Sequence, residues 1–175
     1  MKLSQGFAPV AGFDARILIL GSMPGAASLE AVQYYAFPRN AFWRIMGDLF
    51  AAGPELDYQA RLDKLIDHHI ALWDVIDACH RPGSLDADIS NDGLVTNDFI
   101  GFFKNHPQIT HVYFNGQKAA GLFNKKVMPK LTGNYEYGTL PSTSPAYAAK
   151  NYAAKLTAWS VIDRDDPTRI RYPGY

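Results

Sequence analysis

The chain has 175 residues, of which 47% are hydrophobic and 13% aromatic, and its 17 Lys and Arg residues balance 17 Asp and Glu residues. This composition provides one sizeable core and is too short for two ordinary domains, so we expect a single domain over residues 1–175. The zero formal net charge excludes a protein held on nucleic acid or anionic lipid by its overall charge. Any polyanion site must be a local patch, with candidates at Arg39, Arg81, Lys118, Lys125, Lys126, Lys130 and Lys150.

Cysteine content and hydropathy limit the cellular compartments in which the protein is expected. A single cysteine, Cys79, excludes an intrachain disulfide framework. No apolar run approaches the length of a membrane span, and residues 1–10 lack the apolar core of a signal peptide. We therefore expect a cytoplasmic protein with no membrane partner.

Two apolar runs in the first half of the chain are typical of buried strands. Residues 16–20 and 70–76 are mostly aliphatic and bounded by turn residues, which suits parallel strands covered on both faces. Between them, Asn40 stands at a cap position before apolar residues at helical spacing, which predicts a helix over about 40–51. A second helical pattern contains Leu62, Leu65 and Ile66.

The second half of the chain continues the alternation of strands and helices. The predicted elements are a short helix capped by Thr96 or Asn97, a strand over 110–114, a helix over 117–126, a strand over 137–140 and a last helix over 147–162. This alternation predicts a three-layer α/β/α sandwich around a central, mostly parallel four-stranded sheet. The tail from about residue 163 is expected to be a surface appendage.

The loops after residues 20, 76, 114 and 140 should converge, because ligands bind at the carboxyl ends of parallel strands. The first loop, GSMPGAAS, has neither the Lys-Ser/Thr pair of a phosphate-binding P-loop nor the glycine spacing of a dinucleotide site. No serine occupies a nucleophile elbow, and the 5 histidines lack metal-ligand spacing. The loops instead offer backbone amides, aromatic rings and a Pro-Ser-Thr-Ser turn. These groups suit a flat heterocycle bound without a metal or cofactor.

Three segments carry a resemblance to a known family, namely GSMPG at 21–25, YYAFPRNAFW at 34–43 and LPSTS at 140–144. In this order they resemble the uracil-DNA glycosylase superfamily, matching its hypoxanthine-DNA glycosylase branch first and the mismatch-specific uracil/thymine glycosylases next. The resemblance implies the fold described above. It also implies a monofunctional enzyme of base excision repair that flips a deaminated base, hypoxanthine before uracil, and hydrolyses its N-glycosidic bond. The implied partner is DNA containing deaminated bases, and we expect a monomer.

The resemblance places the catalytic group at Asn40. Met23 stands where most relatives have an Asp or Asn that positions water, and a thioether cannot perform that task. In the hypoxanthine branch the work belongs to the asparagine of the PxN segment, so the amide oxygen of Asn40 would orient a water below the sugar. Asparagine is also a favoured helix N-cap, and the two roles remain equally open at this point.

Further roles in the base pocket follow from the resemblance. The turn at Gly21, Ser22 and Met23 would contribute backbone groups to the leaving-base pocket. Tyr35 corresponds to the ring on which the flipped base stacks, the alternative being a core tyrosine. Asp74 would accept a ring N–H such as that of hypoxanthine, or else pair with Arg81 or cap a helix. Asn115 would read the base or hold a phosphate, or else serve the turn before Gly116.

The loop after the fourth predicted strand would contact DNA through Pro141, Ser142, Thr143, Ser144 and Pro145. Its serines and backbone amides would hold phosphates beside the lesion, and Pro145 or Tyr147 would fill the gap in the duplex. Leu140 stands where uracil enzymes have a histidine, which argues against efficient uracil excision. Because Met23 and Leu140 both replace catalytic groups, the alternative function is a nucleic-acid- or nucleobase-binding protein that has lost catalysis. Hydrolysis of free nucleosides is a more remote third option.

Overall fold

The computed structural model describes residues 3–166. The strands are β1 (Leu3–Gln5), β2 (Ile17–Gly21), β3 (Ile70–Asp74), β4 (Ile76–His80), β5 (Val95–Thr96), β6 (His111–Asn115) and β7 (Glu136–Leu140). The α-helices are α1 (Ala26–Ala31), α2 (Phe42–Phe50), α3 (Tyr58–Asp67), α4 (Phe99–Asn105), α5 (Gln117–Lys126), α6 (Tyr152–Trp159) and α7 (Val161–Asp165). Short 3-10 turns cover Asp86–Asp88 and Met128–Lys130.

A four-stranded parallel sheet in the order β3-β2-β6-β7 forms the centre of the fold. Strands β2 and β3 are buried along their whole length, as expected for apolar strands with helices on both faces. The register pairs Gly21 with Asp74 and Asn115 with Leu140. The strand ends that carry the predicted site residues therefore lie side by side.

Alternate residues of β2 point into two apolar cores on opposite faces of this sheet. Leu20 belongs to one core, which includes Phe123 of α5. Ile19 belongs to the other, which includes Phe42 of α2 and Trp159 of α6. The predicted α/β/α sandwich with a four-stranded parallel sheet is thus confirmed.

A second, antiparallel sheet in the order β1-β4-β5 was not predicted from the sequence. The strand predicted over 70–76 ends at Asp74, and the same apolar run continues as β4 in the second sheet. Both sheets are buried in this region, so hydropathy alone does not mark the change of sheet. Backbone bonds from Val75 to Gly21 (2.9 Å) and from Ile76 to Ser22 (3.0 Å) hold the crossing in place.

Two helices begin at residues other than those predicted, because side-chain caps determine where a helix starts. Asp98, rather than Thr96 or Asn97, caps α4 by accepting the backbone N–H of Gly101 at 3.0 Å. The last helix, predicted over 147–162, begins only at α6. There the side chain of Asn151 accepts the N–H of Ala154 at 2.9 Å. Helix α1 was not predicted.

The chain remains packed against the fold up to the end of the described residues. Ile162 of α7 is fully buried, and the buried carboxylate of Asp166 lies 2.6 Å from Nδ1 of His68. The appendage predicted from about residue 163 therefore starts as packed structure, and residues 167–175 lie outside the described residues. Between residues 3 and 166, no helix has the length and apolar character needed to cross a bilayer.

Candidate active site

A cavity of about 1220 Å³ opens at the carboxyl edge of the parallel sheet. The loops after β2, β6 and β7 contribute to it, together with Asp74 at the end of β3 and residues 84–87 of the loop after β4, so the predicted convergence is confirmed. Its volume is somewhat above the roughly 300–1,000 Å³ of ordinary small-molecule pockets. The residues proposed from the sequence all line it, namely Gly21, Ser22, Met23, Tyr35, Asn40, Asp74, Asn115, Pro141, Ser142, Thr143, Ser144 and Pro145.

The cavity floor lies where β2 and β3 end side by side. A Cβ on Gly21 would collide with Oδ1 of Asp74 and lie 2.9 Å from the hydroxyl of Tyr35, so glycine permits the close approach of these side chains. Oδ2 of Asp74 and the Tyr35 hydroxyl are buried and have no hydrogen-bond partner among residues 3–166. Buried polar groups are normally paired. A ligand in the cavity would supply the missing partners.

Burial is the main influence on the pKa of the Asp74 carboxyl, because this residue is only 3% exposed. It raises the pKa of Asp74 to about 7, the negative charge of Asp86 adds to this effect, and the positive charge of Arg81 opposes it. Arg81, the alternative partner proposed for Asp74, instead donates from Nη2 to the carbonyl of Pro24. At neutral pH the carboxyl is therefore present both as the acid and as the carboxylate.

Tyr35 lies beside this carboxyl with its ring stacked on Phe42, the ring centroids being 4.0 Å apart and the planes inclined by 24°. Its backbone adopts a left-handed φ of 55°, which is uncommon for a residue other than glycine. Burial, followed by the charge of Asp74, raises the pKa of the Tyr35 phenol above its usual value. The side-chain amide of Asn115 lies close enough to lower the pKa, although it does not meet hydrogen-bond geometry with the hydroxyl. The hydroxyl therefore remains a donor at neutral pH.

Asn40 lines the cavity immediately before α2. Its Oδ1 accepts the backbone N–H of Phe42, the first residue of α2, at 2.9 Å. The N-cap of α2 is Ala41, so Asn40 is not the cap predicted from the sequence but bonds the start of the helix from one position earlier. An amide oxygen has two acceptor sites. One site holds the start of the helix and the other is available to a water molecule, so the bond to Phe42 and the orientation of a water are compatible in one residue.

The Asn115 amide fixes the loop over 141–145 rather than standing free in the cavity. Its Nδ2 donates to Oγ1 of Thr143 and its Oδ1 accepts the backbone N–H of Thr143, both at 2.9 Å. The Thr143 carbonyl in turn accepts the N–H of Ala41 at 3.0 Å. This chain of bonds couples β6, the loop over 141–145 and the start of α2. The amide retains one donor and one acceptor site for a ligand.

The two serines of the loop form successive side-chain turns. Oγ of Ser142 accepts the N–H of Ser144, and Oγ of Ser144 accepts the N–H of Ala146, both at 3.2 Å. The Ser144 amide predicted to hold a phosphate is therefore already engaged, whereas each hydroxyl still has its O–H to donate. Both gap-filling candidates, Pro145 and Tyr147, are exposed and line the cavity.

The predicted basic patch divides between several places. Arg39, Lys118 and Lys150 line the large cavity. In contrast, Lys126 and Lys130 line a separate hollow of about 200 Å³ beside the start of α4, and Arg81 is buried. The positive charges available to a DNA backbone near the cavity are therefore Arg39, Lys118 and Lys150.

Residues 84–87 form a wall of the cavity. The loop after residue 76 was expected to reach the site, but none of these four residues was proposed individually from the sequence. The hydroxyl of Ser22 donates to Asp86, and the N–H of Ala26 donates to Oγ of Ser84 at 3.1 Å. Together with the bond from Arg81 to Pro24, these contacts fasten the wall to the turn at 21–25. The segment is polar and rich in turn formers, which predicted only a loop.

Replacing Thr143 with valine is expected to destabilise the fold by about 1–3 kcal/mol, because Nδ2 of the buried Asn115 loses its acceptor. The matched control is Thr157→Val on α6, whose exposed hydroxyl donates to Ala153 within the helix and whose loss should stay within about 0.5 kcal/mol. Urea unfolding measures both. Equal stability of the two variants would show that the Asn115–Thr143 pair does not hold the loop.

The comparisons with known proteins point to one family. The family model of the uracil DNA glycosylase superfamily matches residues 9–163. A hypoxanthine DNA glycosylase from Methanosarcina acetivorans is 37% identical over 146 residues, which is 82% of this chain and 88% of the relative. A second, from Methanosarcina barkeri, is 40% identical over 116 residues, covering 66% of this chain and 72% of the relative.

A solved structure agrees with these relatives. The solution NMR structure of a candidate uracil DNA glycosylase from Methanosarcina acetivorans is similar with a TM-score of 0.77 and 32% sequence identity. The similarity covers 94% of this chain and 98% of that protein. The match therefore spans both the sheet and the loops that build the cavity. On these findings, the chain belongs to the uracil DNA glycosylase superfamily.

Proposed function

We propose that the protein is a monofunctional DNA glycosylase that removes deaminated bases, hypoxanthine before uracil, and leaves an abasic site. The observation that carries the proposal is the large cavity at the carboxyl edge of the sheet. It brings together a stacked tyrosine, a buried carboxyl whose Oδ2 has no partner within residues 3–166, and an asparagine amide with a second acceptor site, all beside a hydroxyl-bearing loop. The two relatives named hypoxanthine DNA glycosylase support the choice of base.

In this scheme each part of the cavity acts on a different part of the flipped nucleotide. The base stacks on Tyr35 and meets Asp74 and the backbone of the 21–23 turn. Asn40 orients the water that adds to the sugar as positive charge develops on it. Neutral amides and backbone dipoles, placed in advance, are sufficient for such stabilisation. Leu140, buried where uracil enzymes have a histidine, favours hypoxanthine over uracil.

The protein would act as a monomer. The basic side chains beside the cavity would bind the backbone of the DNA. Arg39→Ala and Lys150→Ala are each expected to weaken duplex binding and to lower the slope of log affinity against log salt by about 1. Lys130→Ala, in the separate hollow, is the matched control and should leave both quantities unchanged. Fluorescence anisotropy with a labelled duplex at several salt concentrations measures this. An equal effect of Lys130→Ala would place the DNA elsewhere.

The proposed activity is tested with duplexes that contain hypoxanthine, uracil or xanthine at one position. Strand cleavage after alkali reports the abasic product, and we expect hypoxanthine to be removed fastest. Salt-sensitive binding without any abasic product would instead identify a binding protein that has lost catalysis. Release of hypoxanthine from free inosine, with no activity on DNA, would identify a nucleoside hydrolase.

A further inference from the structure

The carboxyl group in the cavity floor is in an unusual position for an acid. Asp74 is 3% exposed, ends a central-sheet strand beside Gly21, and its Oδ2 has no hydrogen-bond partner among the described residues. A buried acceptor without a partner costs about 1–3 kcal/mol, and a buried unpaired charge costs more. The neutral acid is therefore favoured here, and unlike the carboxylate it can donate a proton as well as accept a hydrogen bond.

The titratable and charged groups that act on Asp74 come from several separate segments of the chain. Asp86 of the cavity wall disfavours the charged carboxylate, and the buried Arg81 favours it without forming an ion pair with it. Tyr34, Tyr35 and Tyr58 all lie within its electrostatic reach. Burial brings the pKa of the carboxyl to about 7, near the operating pH at which an acid both gives and regains a proton readily.

We propose that Asp74 is the acid of the reaction and gives its proton to the leaving base. This inference rests on the proposed glycosylase function and changes the role expected of an ionised Asp74, which could only accept. A purine leaves more readily as a neutral base than as an anion, so proton donation would lower the barrier to breaking the glycosidic bond. The donor is needed here because Leu140 stands at the position of the histidine in the uracil enzymes. The buried Tyr35 hydroxyl, which has no hydrogen-bond partner within residues 3–166 either, would donate a hydrogen bond to the carboxylate that results.

The atoms of the step balance without a metal or an oxidant. The N-glycosidic bond breaks and its electron pair stays on the base. The carboxyl proton of Asp74 moves to the nitrogen or carbonyl oxygen of the base that contacts it, so that a neutral base leaves. A water oxygen bonds to C1′ of the sugar, and the proton that this water releases restores the carboxyl.

Single-turnover rates from pH 5 to pH 9 test the inference, using duplexes with hypoxanthine or with xanthine, which leaves more readily as an anion. For the wild type we expect the hypoxanthine rate to fall above about pH 7. Asp74→Asn keeps a donor and an acceptor but holds no transferable proton. It should slow hypoxanthine release by about 100-fold or more, flatten the pH profile and affect xanthine less. Asp77→Asn, the same substitution on partly exposed β4, should behave as wild type.

The outcomes separate the inference from the proposed function. Wild-type protein that releases neither base defeats both. Wild-type activity together with an Asp74→Asn variant that is within threefold of it, or that keeps its pH profile, overturns only the role of Asp74. If the variant does not fold, the wild-type profile alone decides, because a hypoxanthine rate that stays level from pH 6 to pH 9 overturns the inference.

Discussion

Asn40→Ala is expected to slow the excision of hypoxanthine by about 100- to 1000-fold, the usual effect of removing one preorganised polar group from a transition state. The Asn40 oxygen lines the cavity and uses one acceptor site on the N–H of Phe42. The other site would hold the water that adds to the sugar. Single-turnover cleavage of a hypoxanthine duplex, at protein concentrations that saturate the DNA, measures the loss without interference from binding.

The same substitution removes the side-chain bond that holds the first residue of α2, so stability must be measured beside activity. Loss of a side-chain bond at the start of a helix costs about 1 kcal/mol. Asp57→Ala is the matched control, because the Asp57 side chain caps α3 by accepting the N–H of Ala60 at 2.9 Å and does not line the cavity. We expect both variants to lose similar stability and only Asn40→Ala to lose activity.

A conservative variant separates the two roles further. Asn40→Asp keeps the oxygen that holds Phe42, so it should restore stability and at least part of the activity. Rapid excision by Asn40→Ala would contradict the catalytic role and leave Asn40 with its structural bond to α2 alone. Equal loss of activity in Asp57→Ala would attribute the effect to stability.

The central sheet could be predicted because its signals are local. The apolar runs of β2 and β3 and the helical spacing of α2 and α5 stand in short windows of sequence, and their alternation limits the architecture. The second sheet could not be predicted in the same way. Its strand β1 has three residues, of which two are exposed, and it pairs with β4 more than seventy residues away. Nothing in either segment alone indicates that partner.

The sequence predicted which residues line the candidate site, but not the hydrogen bonds that they form. The residues at the strand ends follow from the sheet and from the family resemblance. The pairing of Asn115 with Thr143 and of Ser22 with Asp86 depends on how separate loops meet. The protonation of Asp74 likewise depends on burial, which a sequence position does not reveal. An ionised Asp74 was the sequence-based expectation, and the folded environment favours the acid more than expected.

Asp74→Asn is expected to increase the free energy of unfolding at pH 8–9 by on the order of 4 kcal/mol and to leave it nearly unchanged at pH 4. The pKa of Asp74 rises from 3.8 to about 7 on folding. Between these values the folded protein holds a proton that the unfolded chain has released. The contribution of Asp74 to the free energy of unfolding of the wild type therefore falls as pH rises, by about 1.4 kcal/mol per pH unit. The loss is complete above about pH 7.

Urea unfolding at several pH values between 4 and 9 measures this difference, with Asp77→Asn as the control that keeps the wild-type dependence. An Asp74→Asn variant that loses stability with pH as steeply as wild type would show that the carboxyl is not held as an acid. An Asp74→Asn variant that is more stable than wild type at pH 8 and yet slow in excision would show that the carboxyl is held as an acid. Functional groups are often retained at a cost in stability, so that result would show that Asp74 is kept for the reaction rather than for the fold.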